Sequence, residues 1–80
     1  MKVADTKEIK QIIGKNVGLY MAKRKIAAIP LAASLDVTRQ YIYAIKSGRA
    51  NVSVELLEAI ALALDVDTKD LLKNGRRRAS

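Results

Sequence analysis

The chain of 80 residues has no cysteine, histidine, tryptophan or phenylalanine, and a single proline. Without cysteine, neither a disulfide nor a thiolate metal site can hold the fold. The missing histidine removes zinc fingers and His-based catalysis together. With no Phe or Trp, the core must be built from Leu, Ile, Val and Ala, which suits short, closely packed helices. No apolar run at the N-terminus has the length of a signal peptide, and none approaches the roughly 20 residues of a membrane span. These absences lead us to expect a soluble, cytoplasmic protein with no membrane partner, no metal and no cofactor.

What is present fits one small domain. Half of the residues are apolar, enough for one modest core. The net charge is +7 and the isoelectric point about 10.0, which fits a polyanionic partner, most simply nucleic acid. Arg76, Arg77 and Arg78 supply three of these charges, so residues 1–75 keep +4. The charge alone would also fit an acidic membrane surface.

The stretch from Leu31 to Gly48, LAASLDVTRQYIYAIKSG, reads as two short helices joined by a tight turn. Leu31 and Leu35 are four apart and share a face; Ile42 and Ile45 are three apart and share another. Ala32 leaves room for a second helix to approach. Asp36 tolerates the left-handed backbone of a sharp turn. Thr38 is placed as an N-cap, and Gly48 as a C-terminal stop. With Ile42 and Ile45 inward, the opposite face carries Arg39, Gln40, Tyr43 and Lys46, with Ala44 at its edge. This is the layout of a helix-turn-helix, which puts its second helix into the major groove of DNA. The alternative is a pair of amphipathic helices in a small bundle that never meets DNA.

The rest of the chain reads as scaffold, in five helices with almost no strand signal and no internal repeat. Met1 to Ala4 form an arm. Asp5 and Glu8 have capping-box spacing at the start of a first helix over about Thr6 to Arg24. Ile9, Ile12, Ile13, Val17, Tyr20 and Met21 give that helix an apolar stripe, while Gly14 and Gly18 permit close packing. Pro30 suits the first turn of the second helix, placed to begin near it. The third helix runs over about Arg39 to Ser47. Ser53 caps a fourth that reaches Leu64, with Leu56, Leu57, Ile60, Ala61 and Leu64 inward. Asp67 and Asp70 open a short fifth helix that ends near Lys73. The organisation is an arm and helix start over 1–12, the helix-turn-helix domain over 13–73 and a basic tail over 74–80.

At this point the sequence resembles a known family. Leu31-Ala32, Leu35, Val37-Thr38-Arg39, Tyr41-Ile42, Ile45 and Gly48 look like the phage Cro and repressor type of helix-turn-helix domain, the XRE-like family. The likeness continues through Asn51, Ser53, Glu55-Leu56-Leu57, Ile60-Ala61, Ala63-Leu64, Val66 and Leu71-Leu72, and upstream through Ile13-Gly14, Val17 and Lys25. It covers about residues 13 to 73. It implies an all-α, five-helix, lambda-repressor-like fold and a DNA-binding regulator.

Chemistry and resemblance together nominate a site. Thr38, Arg39, Gln40, Tyr43 and Ala44 are the candidates for base contact: Arg pairs bidentately with guanine, Gln with adenine, and Ala or Tyr touches a thymine methyl. Tyr41, Lys46, Ser47, Arg49 and Asn51 are the candidates for the DNA backbone, since the loop after the third helix grips phosphates across the family. Lys15 and the cluster Lys23-Arg24-Lys25 are further basic candidates. That cluster could equally serve the C-terminal dipole of the first helix, and the tail arginines could add non-specific affinity.

The chain departs from the family pattern in two places. The second helix often opens with Ser or Thr followed by a phosphate-gripping Gln; here the stretch is Ala27-Ala28-Ile29-Pro30, which could face a protein partner instead. Asp36 replaces the common turn glycine and brings a negative charge near the DNA side. Proteins of this geometry bind as two-fold dimers over half-sites about 34–36 Å apart, so a homodimer is expected. By analogy its surface is the fifth helix with nearby parts of the fourth, residues 1 to 12 being the other possibility. Two functions compete: a sequence-specific regulator, in the first instance a repressor of a palindromic operator, and an antitoxin-like or other interaction module whose main partner is a protein. An enzyme is the weakest reading. The carboxylates Glu55 and Asp67 lie at helix starts, where they favour the dipole, and no phosphate-binding glycine motif occurs.

Overall fold

A computed structural model of the chain describes residues 6–74. Five helices follow one another: α1 (Thr6–Arg24), α2 (Ala28–Leu35), α3 (Arg39–Lys46), α4 (Val54–Leu64) and α5 (Thr68–Leu72). No strand occurs among the described residues. Asp5, the arm 1–4 and the tail arginines 76–78 lie outside those residues.

Local chemistry sets most of the boundaries. The Thr38 hydroxyl accepts from the Tyr41 amide at 3.1 Å and starts α3. The Ser53 hydroxyl does the same for the Leu56 amide at 3.1 Å and starts α4. At α5 the Asp70 carboxylate accepts from the Asp67 amide at 3.1 Å. Each such cap satisfies a backbone donor that the helix itself leaves unpaired. α2 is the exception: its N-cap is Ala27, which offers no side chain. The helix begins at Ala28, two residues before Pro30. Pro30 becomes the third helical residue, where its missing N–H would have had no partner anyway.

Residues from all five helices form one core. Val17, Leu31, Ile42, Ile45, Ile60, Leu64 and Leu71 are fully buried, and Ile13, Met21, Ala28, Ala32, Leu57 and Ala61 complete it. Burying each of the larger aliphatic side chains contributes about 1.5–3 kcal/mol. Ile9 does not join them. It is 38 % exposed, so the inward stripe of α1 starts at Ile12 and Ile13. α1 packs on α3, α4 and α5, while α2 packs on α3 and α4. α3 itself touches α1 and α2 but neither α4 nor α5.

The chain contains a repeat that the sequence reading missed. Ala-x-x-Leu-Asp-Val occurs at Ala32–Val37 and again at Ala61–Val66. In both copies Asp ends a helix in the left-handed region, at φ 58° for Asp36 and φ 60° for Asp65. In both the next amide bonds back into the helix: Val37 N–H to the Ala32 oxygen at 3.0 Å, Val66 N–H to the Ala61 oxygen at 2.9 Å. The buried residues Ala28, Leu31, Ala32 and Ile42 of the first copy match the buried Leu57, Ile60, Ala61 and Leu71 of the second. α4–turn–α5 is therefore a second helix–turn–helix unit built like α2–turn–α3, and only the first presents a long polar face.

α1 closes the C-termini of three later helices. Asn16 Nδ2 donates to the carbonyl oxygens of Leu71 and Lys73, each at 2.8 Å. Arg24 Nε donates to the Leu64 oxygen, and its Nη2 to the Asp65 oxygen, each at 3.0 Å. Gly14 lies against the end of α3, where a Cβ would run into the carbonyl oxygens of Ile45 and Lys46. Arg24 was a candidate for DNA; its guanidinium is turned to the end of α4 instead.

Candidate nucleic-acid interface

The site is built on α3. Ile42 and Ile45 are buried at 0 % and 1 % exposure, which fixes the rotation of the helix about its axis. Arg39, Gln40, Tyr43 and Lys46 then face solvent, and Ala44 lies half-buried at the edge of that face. Thr38 stands exposed at the N-terminal end, so the capping hydroxyl and the Arg39 and Gln40 side chains share one tip. The Lys46 ammonium lies 5.9 Å from the centre of the Tyr43 ring, within cation–π range. The described surface of α3 carries no acidic residue, the nearest carboxylate in sequence being Asp36 in the turn.

The loop after α3 is held by its own hydrogen bonds. Gly48 takes φ 79° and its amide bonds to the Ile45 oxygen at 3.0 Å. A side chain there would be strained and would meet Gln11 of α1 at about 3.0 Å. The Ser47 hydroxyl donates to the Ala44 oxygen at 3.1 Å and accepts from Arg49 Nε at 2.8 Å. The Tyr41 phenol donates to the Asn51 oxygen at 2.6 Å. Ser47, Arg49 and Asn51 are exposed, whereas Tyr41 is half-buried.

The structure therefore brings all ten nominated residues onto one helix and the loop that follows it. Lys25 joins them from the α1–α2 connection. It lines an open cleft of about 450 Å³ with Met21, Ile26, Ala27, Tyr43 and Lys46. Lys23 stacks on Tyr20, its ammonium 5.6 Å from the ring centre. The nearby segment Ala27-Ala28-Ile29 is only partly open, because Ala28 is in the core while Ile29 is 60 % exposed. Gly18 was read only as a packing glycine. Its open side seats the Lys46 stem, with the Lys46 Cε 3.6 Å from where a Cβ would stand.

Comparison with known proteins agrees with this geometry. The helix-turn-helix family profile matches residues 19–71. The chain belongs to the XRE-type helix-turn-helix family. It is 37 % identical over 68 residues to the control protein C.BamHI of Bacillus amyloliquefaciens, covering 84 % of each chain. The same fold is seen in a hypothetical transcription factor, NHTF, from Neisseria: TM-score 0.80, 22 % identity, 95 % of this chain and 87 % of that one. It is seen again in the restriction-modification controller protein C.AhdI of Aeromonas hydrophila, with TM-score 0.73, 22 % identity and coverage of 78 % and 94 %. The chain is thus an all-helical DNA-binding regulator of transcription by family. Among the described residues, no helix is long and apolar enough to cross a membrane.

Proposed function

We propose that this protein is a sequence-specific regulator of the restriction-modification controller type, binding double-stranded DNA as a homodimer with α3 in the major groove. One observation carries the reading: α3 buries Ile42 and Ile45 completely while Arg39, Gln40, Tyr43 and Lys46 remain in solvent. A helix with a core-locked back and a basic, bidentate-capable front is shaped for base edges. Thr38, Arg39, Gln40, Tyr43 and Ala44 read bases. Lys46, Ser47, Arg49 and Asn51 hold the backbone, and the tail arginines add counterion-release affinity. Repression follows by occlusion of a promoter, in the cytoplasm.

The self-complementary surface of α4 and α5 supports the dimer. Residues 50–68 contain four acidic residues and no Lys or Arg, whereas Lys69 follows at once, and Lys73 is paired with Asp70 on its own helix end. Leu62 is 82 % exposed and Leu72 46 % exposed among these charges. A two-fold axis lets the acidic stretch of one copy meet Lys69 of the other around the leucines. A second reading, an interaction module with a protein as its main partner, draws on the exposure of Ile29.

Selection from a random duplex pool at about physiological salt tests the proposal, with Arg39→Ala in parallel. An enriched palindrome whose preference relaxes at particular bases in the variant is the expected result. No enrichment, or weak binding that salt abolishes and the variant does not change, would sink it. A protein that co-purifies at fixed stoichiometry would favour the second reading.

A further inference from the structure

We propose that Tyr41 is a positioning residue, which holds the loop 47–51 in its DNA-gripping form and makes no phosphate contact of its own. This revises the nomination of Tyr41 as a backbone contact and rests on the DNA-binding reading above. The argument starts from donors and acceptors. A phenol has one proton to give, and a phosphodiester offers only acceptors. The Tyr41 proton is already given to the Asn51 carbonyl at 2.6 Å. Tyr41 can reach a phosphate only by letting go of the loop.

The surroundings make that bond a fixed post. Tyr41 is half-buried, and its ring packs against the core together with the partly buried Ala50 and Val52. The bond spans ten residues, from the first turn of α3 to the far end of the loop. Between these points Gly48 sits against Gln11, and Ser47 links Arg49 Nε to the end of α3. Using Nε inward leaves the Arg49 Nη groups for an anion. The loop is thus ordered before any ligand arrives, and binding is spared the cost of ordering it.

Tyr41→Phe removes the hydroxyl and keeps the ring. The probe is a random-sequence duplex of about 20 base pairs, titrated with wild type, Tyr41→Phe, Arg49→Ala/Asn51→Ala and the triple variant. Amide hydrogen exchange is followed on each free protein. The bond to Tyr41 is made by the main chain of residue 51, so it survives Asn51→Ala. We expect Tyr41→Phe to weaken binding roughly 2- to 10-fold in the wild-type background and less than about twofold in the double-variant background. Exchange should speed up at residues 49–51 and stay unchanged at Ile42 and Ile45. Equal loss in both backgrounds with unchanged loop exchange would mean that the hydroxyl meets the DNA itself, and would overturn the proposal. No loss and no change in exchange would overturn it too. If wild type binds no duplex, the functional reading fails, while the exchange rates still decide whether Tyr41 holds the loop.

Discussion

Arg24, the last residue of α1, donates from Nε to the carbonyl oxygen of Leu64, the last residue of α4, at 3.0 Å. A cation at a helix C-terminus both pairs with an orphan carbonyl and opposes the negative end of the dipole.

Replacing Arg24 by Ala should therefore cost stability rather than DNA affinity. The expected loss is about 1–2 kcal/mol, read as a lower urea midpoint at unchanged slope. DNA affinity measured well below the melting temperature should stay within about twofold of wild type, because the guanidinium is bonded to the end of α4. A large affinity loss with normal stability would return Arg24 to the interface.

The two glycines of α1 should respond in opposite directions. At Gly14 a Cβ overlaps the Ile45 and Lys46 carbonyl oxygens, so Gly14→Ala forces α1 and α3 apart at about 1–3 kcal/mol. At Gly18 the same methyl meets only the Lys46 side chain at ordinary contact distance. Gly18→Ala should thus gain the helix-propensity difference, about 0.5–1 kcal/mol. Thermal melts of the two variants give the comparison directly.

Asp36 and Asp65 occupy the same left-handed position in the two repeat units. Gly at either site removes a steric cost and should stabilise by up to about 1 kcal/mol. The two melting shifts should be similar. Of the pair, only Asp36→Gly should also tighten DNA binding, since it deletes a negative charge beside α3.

Leu62→Glu tests the dimer. At 82 % exposure the side chain contributes little to the monomer core. The variant should sediment as a monomer, keep its helical circular dichroism and lose cooperative binding to the selected palindrome. A variant that still dimerises would move the interface elsewhere.

The Asp70 carboxyl is held below its ordinary range, first by the Asp67 amide and then by Lys73, whose ammonium lies 3.2 Å away. A depressed folded-state value stabilises the fold above the ordinary aspartate value, near pH 4. That contribution fades as pH falls through the lower folded value. The melting difference between wild type and Asp70→Asn should therefore be full at neutral pH and vanish in strong acid.

Much of this was legible because it is local. Thr38 and Ser53 announce helix starts through their own hydroxyls, and the spacing of Ile42 and Ile45 alone orients the α3 face. The start of α2 was legible only to within two residues, from Pro30 in its first turn, because Ala27 gives no cap signal. Ile9 was read inward because periodicity counts apolar residues without knowing where a neighbouring helix ends. The roles of Asn16 and Arg24 depend on carbonyls 40 to 57 residues away, which no local pattern encodes. The repeated Ala-x-x-Leu-Asp-Val was in plain view. Its meaning comes from the two turns sharing one backbone shape. Tyr41 was assigned by analogy, and only the geometry shows its proton spent inside the protein.

The way α1 closes the later helices has a consequence for synthesis. α1 leaves the ribosome before α4 and α5, yet its polar partners are the last carbonyls of those two helices. Arg24 has its acceptors once Asp65 has emerged, but Asn16 must wait for Leu71 and Lys73, and until then the buried face of α1 has no complete floor. Contacts of such long sequence separation form late. α1 therefore completes its packing only after α5 has emerged, and a nascent chain that stops short of α5 holds α3 on an incomplete scaffold.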